Sequence, residues 1–116
     1  MANKQSYLGE FEHLVLLSIM QLSDNAYGVT VRRYLKETIN RDVSIGALYA
    51  TVERLEKKGF ITSRKGEAKA ERGGKAKRFF QITQEGIKNL TYTKHSLECM
   101  WKEITLFLGG CSNEIA

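Results

Sequence analysis

Residues 44–63, SIGALYATVERLEKKGFITS, contain a helix that leads almost directly into a strand. Ser44 is a good N-cap, because its hydroxyl accepts a backbone N–H that the first helical turn leaves free. Gly59 is a strong stop signal, since glycine readily adopts the left-handed conformation that often follows a helix. The alternation of apolar and polar residues in FITSRK then predicts a strand. The junction therefore holds a helix and a strand close together, which restricts the possible folds more than any other segment.

The helix in this segment has two contrasting faces. Four apolar residues recur at helical spacing and predict the buried face: Ile45, Leu48, Val52 and Leu55. Tyr49 flanks this face. The opposite face is predicted to be exposed and combines small, hydroxyl and cationic side chains: Ala47, Ala50, Thr51, Arg54, Lys57 and Lys58. A merely solvated face usually carries several long charged side chains, so the small residues here suit close approach to a flat or grooved partner.

Two helices precede this segment and a hairpin follows it. Apolar residues recur at helical steps in 8–22 and 29–39, separated by the turn residues SDNAYG. The apolar arc of the first helix extends most of the way round, so this helix is expected to be covered on several sides. KRFFQIT predicts a second strand, and the basic segment 66–76 predicts a long tip between the strands. Thr83 is suited to cap a fourth helix, and Gly86 weakens its start slightly.

A seven-residue apolar repeat near the C-terminus predicts a terminal amphipathic helix. Its apolar residues are Leu90, Leu97, Met100, Trp101, Ile104, Phe107 and Leu108. Thr93 interrupts the seam, so the helix is not a strong isolated coiled coil. It either folds back onto its own domain or packs against its copy in a second chain. The first three helices already supply a core for a chain of this size, and this favours a homodimer.

Positive charge is concentrated between Arg54 and Arg78. This stretch of 25 residues has ten Lys/Arg and three Glu, a net charge of +7, whereas the whole chain has +5. The remainder is therefore slightly acidic. A basic region on a nearly neutral body is typical of proteins that bind the phosphate backbone of nucleic acids, although a solvated loop would look similar by charge alone.

Several function classes find no support in the sequence. The N-terminus MANKQSYLGEF lacks the apolar core of a signal peptide, and no apolar run approaches the length of a membrane span, so a cytoplasmic protein is predicted. Cys99 and Cys111 are then expected to be reduced thiols. A glycine-rich phosphate loop, a nucleophile with a placed base and a metal-ligand cluster are all missing. We therefore expect no enzyme activity, no cofactor and no metal, and assign no chemistry to His13 or His95.

The order of elements and three sequence blocks resemble the PadR family of bacterial transcriptional regulators. The blocks are YG at 27–28, SIGALYATVERLEKKGFI at 44–61 and RFFQITQEG at 78–86. The resemblance implies a mostly α fold with a small β-hairpin: a winged helix-turn-helix of three helices and a two-stranded wing, with a C-terminal dimerisation helix. It suggests a DNA-binding domain over 1–85, the dimerisation helix over 86–109 and a tail over 110–116. The short final helix resembles that of the smaller PadR subfamily.

The resemblance also implies which residues contact double-stranded DNA. The third helix would enter the major groove, and the wing cations would follow the backbone or enter the minor groove. The DNA-binding residues expected on this basis are Ser44, Ala47, Tyr49, Thr51, Arg54, Lys69, Arg72, Lys75 and Lys77. Three of them have a second interpretation: Ser44 as a cap alone, Tyr49 as a packing residue and Arg54 as the partner of a surface acid. RGGKAKR contains two adjacent glycines and no proline, so it departs from the usual family wing tip.

Two further expectations concern function. The apolar seam residues would form the dimer interface, and the aromatic and Met residues there could line a pocket for a small planar aromatic effector that releases a repressor from its inverted-repeat operator. Plain interface packing is the alternative. A winged-helix module that binds a protein and not DNA is the competing function.

Overall fold

The computed structural model describes residues 7–66 and 77–107, with side chains as far as residue 104. The elements in chain order are α1 (Glu10–Leu22), a 3-10 turn (Ser23–Asn25), α2 (Gly28–Ile39), α3 (Ile45–Lys57), β1 (Ile61–Lys65), β2 (Arg78–Ile82) and α4 (Gln84–Phe107). This confirms the predicted winged-helix fold: a helical body with a two-stranded antiparallel hairpin. Thr83 caps α4 as predicted, and the expected domain boundary after residue 85 falls inside the first turn of that helix.

One hydrophobic core joins α1, α2, α3 and the hairpin. Its most buried members come from all three helices and include Leu16, Val31, Leu48 and Val52. Phe80 closes the core from β2. The expectation that α1 is covered on several sides is confirmed, because α1 packs against α2, α3, β2 and α4. One edge of α1 nevertheless stays open, with Leu17 and Met20 exposed.

The junction after α3 follows the glycine-stopped geometry that the sequence predicts. Gly59 has φ of 81° and its N–H donates to the carbonyl of Glu56 at 3.0 Å. The N–H of Phe60 donates to the carbonyl of Leu55 at 2.9 Å. These two bonds form a Schellman motif, which satisfies carbonyls that the helix end would otherwise leave free. β1 therefore begins two residues after the motif's glycine and returns along α3.

The hairpin has a third partner that the sequence reading missed. β1 and β2 pair in register from Ile61 opposite Ile82 to Lys65 opposite Arg78. On the other edge of β2, the N–H of Phe80 donates to the carbonyl of Ala26 at 2.8 Å, and Tyr27 bridges to Phe79. The segment before α2, which the sequence indicates as a turn, thus also acts as a short third strand that holds the wing against the helical body.

Candidate nucleic-acid interface

The start of α3 presents a face of small, exposed residues. Ser44 caps the helix, and its Oγ accepts the N–H of Ala47 at 3.1 Å. Gly46, Ala47 and Ala50 are exposed, and no atom lies within 4 Å of the position that a Cβ on Gly46 would take. Because these side chains are short, the backbone of the first two turns of α3 is accessible to a partner surface.

Two residues of α3 lie on the opposite side from that predicted. Thr51 was expected on the exposed face, yet it is only 1% exposed, between Leu48 and Val52 in the buried arc. The predicted exposed placement of Thr51 is therefore wrong, and its side chain is not presented to a partner surface in this structure. Ile45 was expected in the core but is about half exposed at the first position of α3, where its Cδ1 only borders Gly28 at the start of α2.

Arg54 lies on the exposed side of α3 and is tied to α1. Its Nη2 donates to the hydroxyl of Thr51 at 3.0 Å, and its Nε lies 3.5 Å from Oε2 of Glu12. Lys58 donates to both carboxylate oxygens of Glu12, at 3.1 and 2.9 Å. One acid on α1 therefore pairs with two cations at the C-terminal end of α3 and leaves one net positive charge there. Arg54 is thus paired with an acid in the free protein, although its partner is the largely buried Glu12 and not a surface acid.

Glu12, which the sequence did not single out, links α1 to the C-terminal end of α3. Its side chain is only 9% exposed, and its Oε1 also accepts the N–H of Gly9 at 3.2 Å. Burial alone would raise its pKa, but the hydrogen bonds from Lys58 and Gly9 and the charges of Lys58 and Arg54 outweigh burial and lower the pKa below its ordinary value. A signal was available, since an acid in step with Val15 and Ile19 on an apolar arc requires a cationic partner.

Replacing Glu12 with glutamine is expected to lower the free energy of unfolding at pH 7 by about 1–2 kcal/mol, because Lys58 and Arg54 lose a shared and largely buried anion. A lowered folded-state pKa contributes stability that is complete above the ordinary carboxyl pKa and is lost as the pH falls through the folded-state pKa. The difference between wild type and variant should therefore shrink below about pH 4. Urea unfolding at several pH values measures it.

The matched control for this prediction is Glu10→Gln, because Glu10 also pairs with a cation, Arg41, but is well exposed. An exposed pair contributes little, so this variant should stay within about 0.5 kcal/mol of wild type. If the difference in unfolding free energy between wild type and Glu12→Gln stayed constant down to pH 3, it would contradict the conclusion that the ionised Glu12 carboxylate supplies the stability.

Tyr49 packs between the wing and the start of α2. Its ring meets Phe80 edge-on, with centroids 6.1 Å apart and an interplanar angle of 70°. A Cβ on Gly28 would come within 2.8 Å of the Tyr49 hydroxyl, so a larger residue there would displace the end of the Tyr49 side chain. Tyr49 is thus partly buried, and its hydroxyl lies at the N-terminus of α2.

The root of the wing carries stacked cations. Lys77 donates to the hydroxyl of Tyr27 at 2.8 Å, and its Nζ lies 4.1 Å from the centroid of that ring. Arg64 lies 4.8 Å from the centroid of Phe79. Both contacts are typical cation–π geometry. Lys69, Arg72 and Lys75, which were predicted to contact DNA, lie outside the described residues.

The C-terminal helix divides into a packed half and a bare half. Leu90 was expected at a dimer seam, but it is 6% exposed and belongs to the core of its own subunit, because the first turns of α4 lie against α1. Further along, Met100 is 67% and Trp101 is 55% exposed, and Leu97 and Ile104 are also exposed. The side chain of Phe107 and the whole of Leu108 lie outside the described residues.

Two other polar side chains, Cys99 and His95, lie next to each other on α4. Cys99 is a free and exposed thiol, 3.6 Å from Nε2 of His95, and Cys111 lies outside the described residues. Within 7–66 and 77–107, no group of three His, Cys, Asp or Glu side chains is arranged to hold a metal ion. None of the helices in these ranges is both long and apolar enough to cross a membrane.

Comparison with known proteins links this geometry to a family. The model of the transcriptional regulator PadR-like family matches residues 16–92, which is well over half of the chain. No curated protein matches the sequence significantly.

Three solved structures are similar to the chain. A transcriptional regulator from Clostridium thermocellum is 26% identical, with a TM-score of 0.65 over 83% of this chain and 90% of that one. A PadR family transcription regulator from Clostridium difficile is 24% identical, with a TM-score of 0.68 over 86% and 99%. A PadR-like transcriptional regulator from Bacillus cereus is 22% identical, with a TM-score of 0.67 over 84% and 90%. The last two likenesses concern the fold alone.

Proposed function

Because the chain belongs to the PadR-like family of transcriptional regulators, we propose that it binds double-stranded DNA as a homodimer and represses transcription from an inverted-repeat operator. The observation that carries this proposal is the exposed small-residue face of α3. The major groove is about 12 Å wide and admits one α-helix, and short side chains let the helix backbone come close to the base edges. Ala47 and Ala50 face outward there, with Gly46 beside them.

Cations surround this face and supply the phosphate contacts of the proposal. Arg54 lies further along α3, Lys58 lies at its C-cap, and Lys77 lies at the wing root. Ser44 caps the helix through Ala47, so its role toward DNA is to organise the helix N-terminus, where free N–H groups favour a phosphate. Tyr49 of α3, whose hydroxyl lies next to the start of α2, would add one further contact to a phosphate. Phosphate contacts fix position and affinity, whereas base-edge contacts select sequence.

Replacing Lys75 and Lys77 with alanine together should weaken binding to all duplexes alike. When phosphate contacts are lost, DNA binding releases fewer counterions. The slope of log K against log salt should therefore become shallower by about one to two per protomer. Fluorescence anisotropy over a salt series measures this slope. The control is Lys88→Ala with Lys94→Ala, which removes the same charge from exposed positions on α4. If both double variants change the slope equally, the wing does not contact DNA.

The homodimer is supported by bare apolar surface on two helices. Leu17 and Met20 of α1 are exposed, and Leu97 of α4 lines a groove together with Leu17 and His13. Exposed Met100, Trp101 and Ile104 extend this surface along the distal half of α4. Contiguous apolar surface on a small chain is typical of an interface. A two-fold pair would place the two α3 helices about 34 Å apart, one DNA turn.

Replacing Trp101 with glutamate is expected to give a monomer, because a carboxylate would be buried in the apolar interface without a partner. The monomer should bind an inverted repeat at least about 100-fold more weakly. In the dimer, binding at one half-site holds the second protomer next to the other half-site, and the monomer lacks this effect. Sedimentation velocity and anisotropy measure the two effects. Trp101→Phe retains an apolar ring and should remain dimeric; a Trp101→Glu variant that stays dimeric would contradict the interface.

We extend the proposal to an effector that binds at the same apolar surface and shifts the protein between DNA-competent and incompetent states. Exposed Trp101 beside Met100 suits a small planar aromatic compound. Trp101 is the single tryptophan, so its fluorescence reports binding directly. Titration with planar aromatic compounds should quench or shift the emission, and a flat response to all of them would favour interface packing alone.

The function as a whole is tested on the DNA that flanks the gene. We expect a mobility shift on a fragment that contains an inverted repeat, with weaker binding to unrelated duplex. A protein-binding module with the same fold would show no duplex affinity at about 100 mM salt, where a regulator keeps at least non-specific binding.

A further inference from the structure

Three polar side chains at the base of the wing form a closed network between α3, β1 and β2. Arg78 on β2 donates from Nη2 to Oε1 of Glu56 at 2.6 Å and from Nε to Oγ of Ser63 at 3.2 Å. Ser63 on β1 donates to the other carboxylate oxygen, Oε2 of Glu56 on α3, at 2.6 Å. Each of the three groups is thus bonded to the other two. We call this set of Glu56, Ser63 and Arg78 the wing clamp.

Two aromatic rings lie beside the guanidinium of the wing clamp. The Cζ of Arg78 lies 5.9 Å from the ring centroid of Tyr49 and 5.8 Å from that of Phe80. The side chains of Glu56 and Arg78 are 28% and 37% exposed, so the ion pair is partly shielded from water. A charge-assisted pair that is bonded to a third group and partly shielded restrains its elements more than an open surface pair does.

The opposite edge of β2 is also restrained. The N–H of Phe80 bonds to Ala26, and Lys77 is bonded to Tyr27. The N–H of Gly66 donates to the carbonyl of Lys77 at 2.7 Å and closes the hairpin root. The direction in which the wing leaves the domain is therefore set at its root, with α3 on one side and the segment before α2 on the other.

We propose that Arg78 is a positioning residue for DNA binding. Through the wing clamp it fixes the angle between the wing and α3, so that both elements meet the duplex in one arrangement without reordering. This inference rests on the proposed function for its effect on DNA, but the restraint itself belongs to the free protein. Preorganised elements bind more tightly because less conformational freedom is lost on association.

Replacing Glu56 with glutamine separates this proposal from simple electrostatics. The substitution removes a negative charge, so charge alone predicts tighter binding to DNA. Loss of the wing clamp predicts weaker binding, by about 3- to 20-fold, which lies in the lower part of the range for couplings between contacting residues. Fluorescence anisotropy on one duplex at fixed salt shows directly whether the affinity for DNA rises or falls. Unchanged or tighter binding by Glu56→Gln would overturn the proposal.

Arg78→Met and Arg64→Met form a matched pair. Each removes one positive charge from the same hairpin, but Arg64 is exposed and stacks on Phe79, whereas only Arg78 belongs to the wing clamp. Because they remove the same charge, the two Met variants should change the slope of log K against log salt by the same amount. Arg78→Met should bind DNA about 3- to 20-fold more weakly than Arg64→Met, and Arg78→Lys should fall between, because lysine keeps the charge without the forked geometry. Equal affinities of the two Met variants would overturn the proposal.

A measurement without DNA tests the restraint independently. Backbone ¹⁵N relaxation of the Gly66 amide, at the wing root, should report a lower order parameter in Arg78→Met than in wild type or Arg64→Met, while amides of α1 stay unchanged. If wild type fails to bind any duplex but Gly66 loosens as described, the proposed function fails and the clamp stands. If Gly66 keeps its order parameter in Arg78→Met, the clamp is wrong whatever the DNA result.

Discussion

Replacing Gly86 with alanine should destabilise the fold by about 2–3 kcal/mol, the upper range for overpacking in a closed site. Helix propensity alone predicts the opposite sign, because alanine in place of glycine stabilises a helix by about 1 kcal/mol. The structure decides between them. Gly86 is buried in the first turn of α4, and a Cβ there would collide with the backbone carbonyl of Phe60 and approach Cγ1 of Ile82 at 2.8 Å.

The carbonyl of Phe60 has little freedom to move away. It accepts the N–H of Thr83 at 2.9 Å, and its own residue is bonded through its N–H to Leu55 at the end of α3. Relief of the collision would therefore break either the cap region of α4 or the Schellman motif that directs β1. Gly86 therefore does more than weaken the helix start slightly, because this glycine lets α4 approach the α3–β1 junction.

Gly46→Ala is the control for this prediction, since Gly46 also lies in a first helical turn but has open space around its Cβ position. This variant should be neutral or up to about 1 kcal/mol more stable than wild type. Thermal and urea unfolding of both variants at pH 7 measure the effect. If Gly86→Ala proved as stable as Gly46→Ala, the close approach of α4 to Phe60 would be contradicted.

Replacing Ala50 with glutamate should reduce DNA affinity by about 100-fold or more. Ala50 lies on the exposed small-residue face of α3, so the new carboxylate would enter the groove next to phosphates and base edges. Like charges brought together at an interface cost several kcal/mol, and about 2.7 kcal/mol corresponds to a factor of 100. The longer side chain would also hold the α3 backbone away from the groove.

Stability should not account for this loss of binding. Glutamate is a good helix former and the position is exposed, so the free energy of unfolding should change by less than about 0.5 kcal/mol. Gln84→Glu adds the same charge at an exposed position on α4 and should retain binding within about threefold. Anisotropy on a short duplex at low ionic strength measures the affinities. Retained binding by Ala50→Glu would remove α3 from the proposed interface.

Much of the fold was predictable because its signals are local. The Ser44 cap, the glycine stop at Gly59, the two alternating strands and the Thr83 cap each depend on a few adjacent residues. Each of these signals acts on the backbone of residues that are adjacent in the chain, so it is retained in the folded protein. The exposed positions of Ala47 and Ala50 followed from helical periodicity for the same reason.

Periodicity was insufficient at the edge of a helical face. Thr51 and Ala50 are adjacent, and a rotation of the helix by a fraction of a turn decides which of them is buried. That rotation is set by the packing of α3 against α1 and the hairpin, which places Thr51 inside and leaves Ile45 outside. Leu90 shows the same limit, because its heptad position suited a dimer seam and the core of its own subunit equally well.

The sequence by itself determined the order of the elements, their ends and the fold class, because these depend on short-range backbone chemistry and side-chain spacing. Only the tertiary structure decided which charges meet: Glu12 with Lys58 across 46 positions, and Glu56 with Arg78 across 22. It also revealed the edge strand at Tyr27 and the collision that makes Gly86 necessary. These contacts join residues distant in the chain, and their geometry is fixed by how the elements pack, which no local pattern encodes.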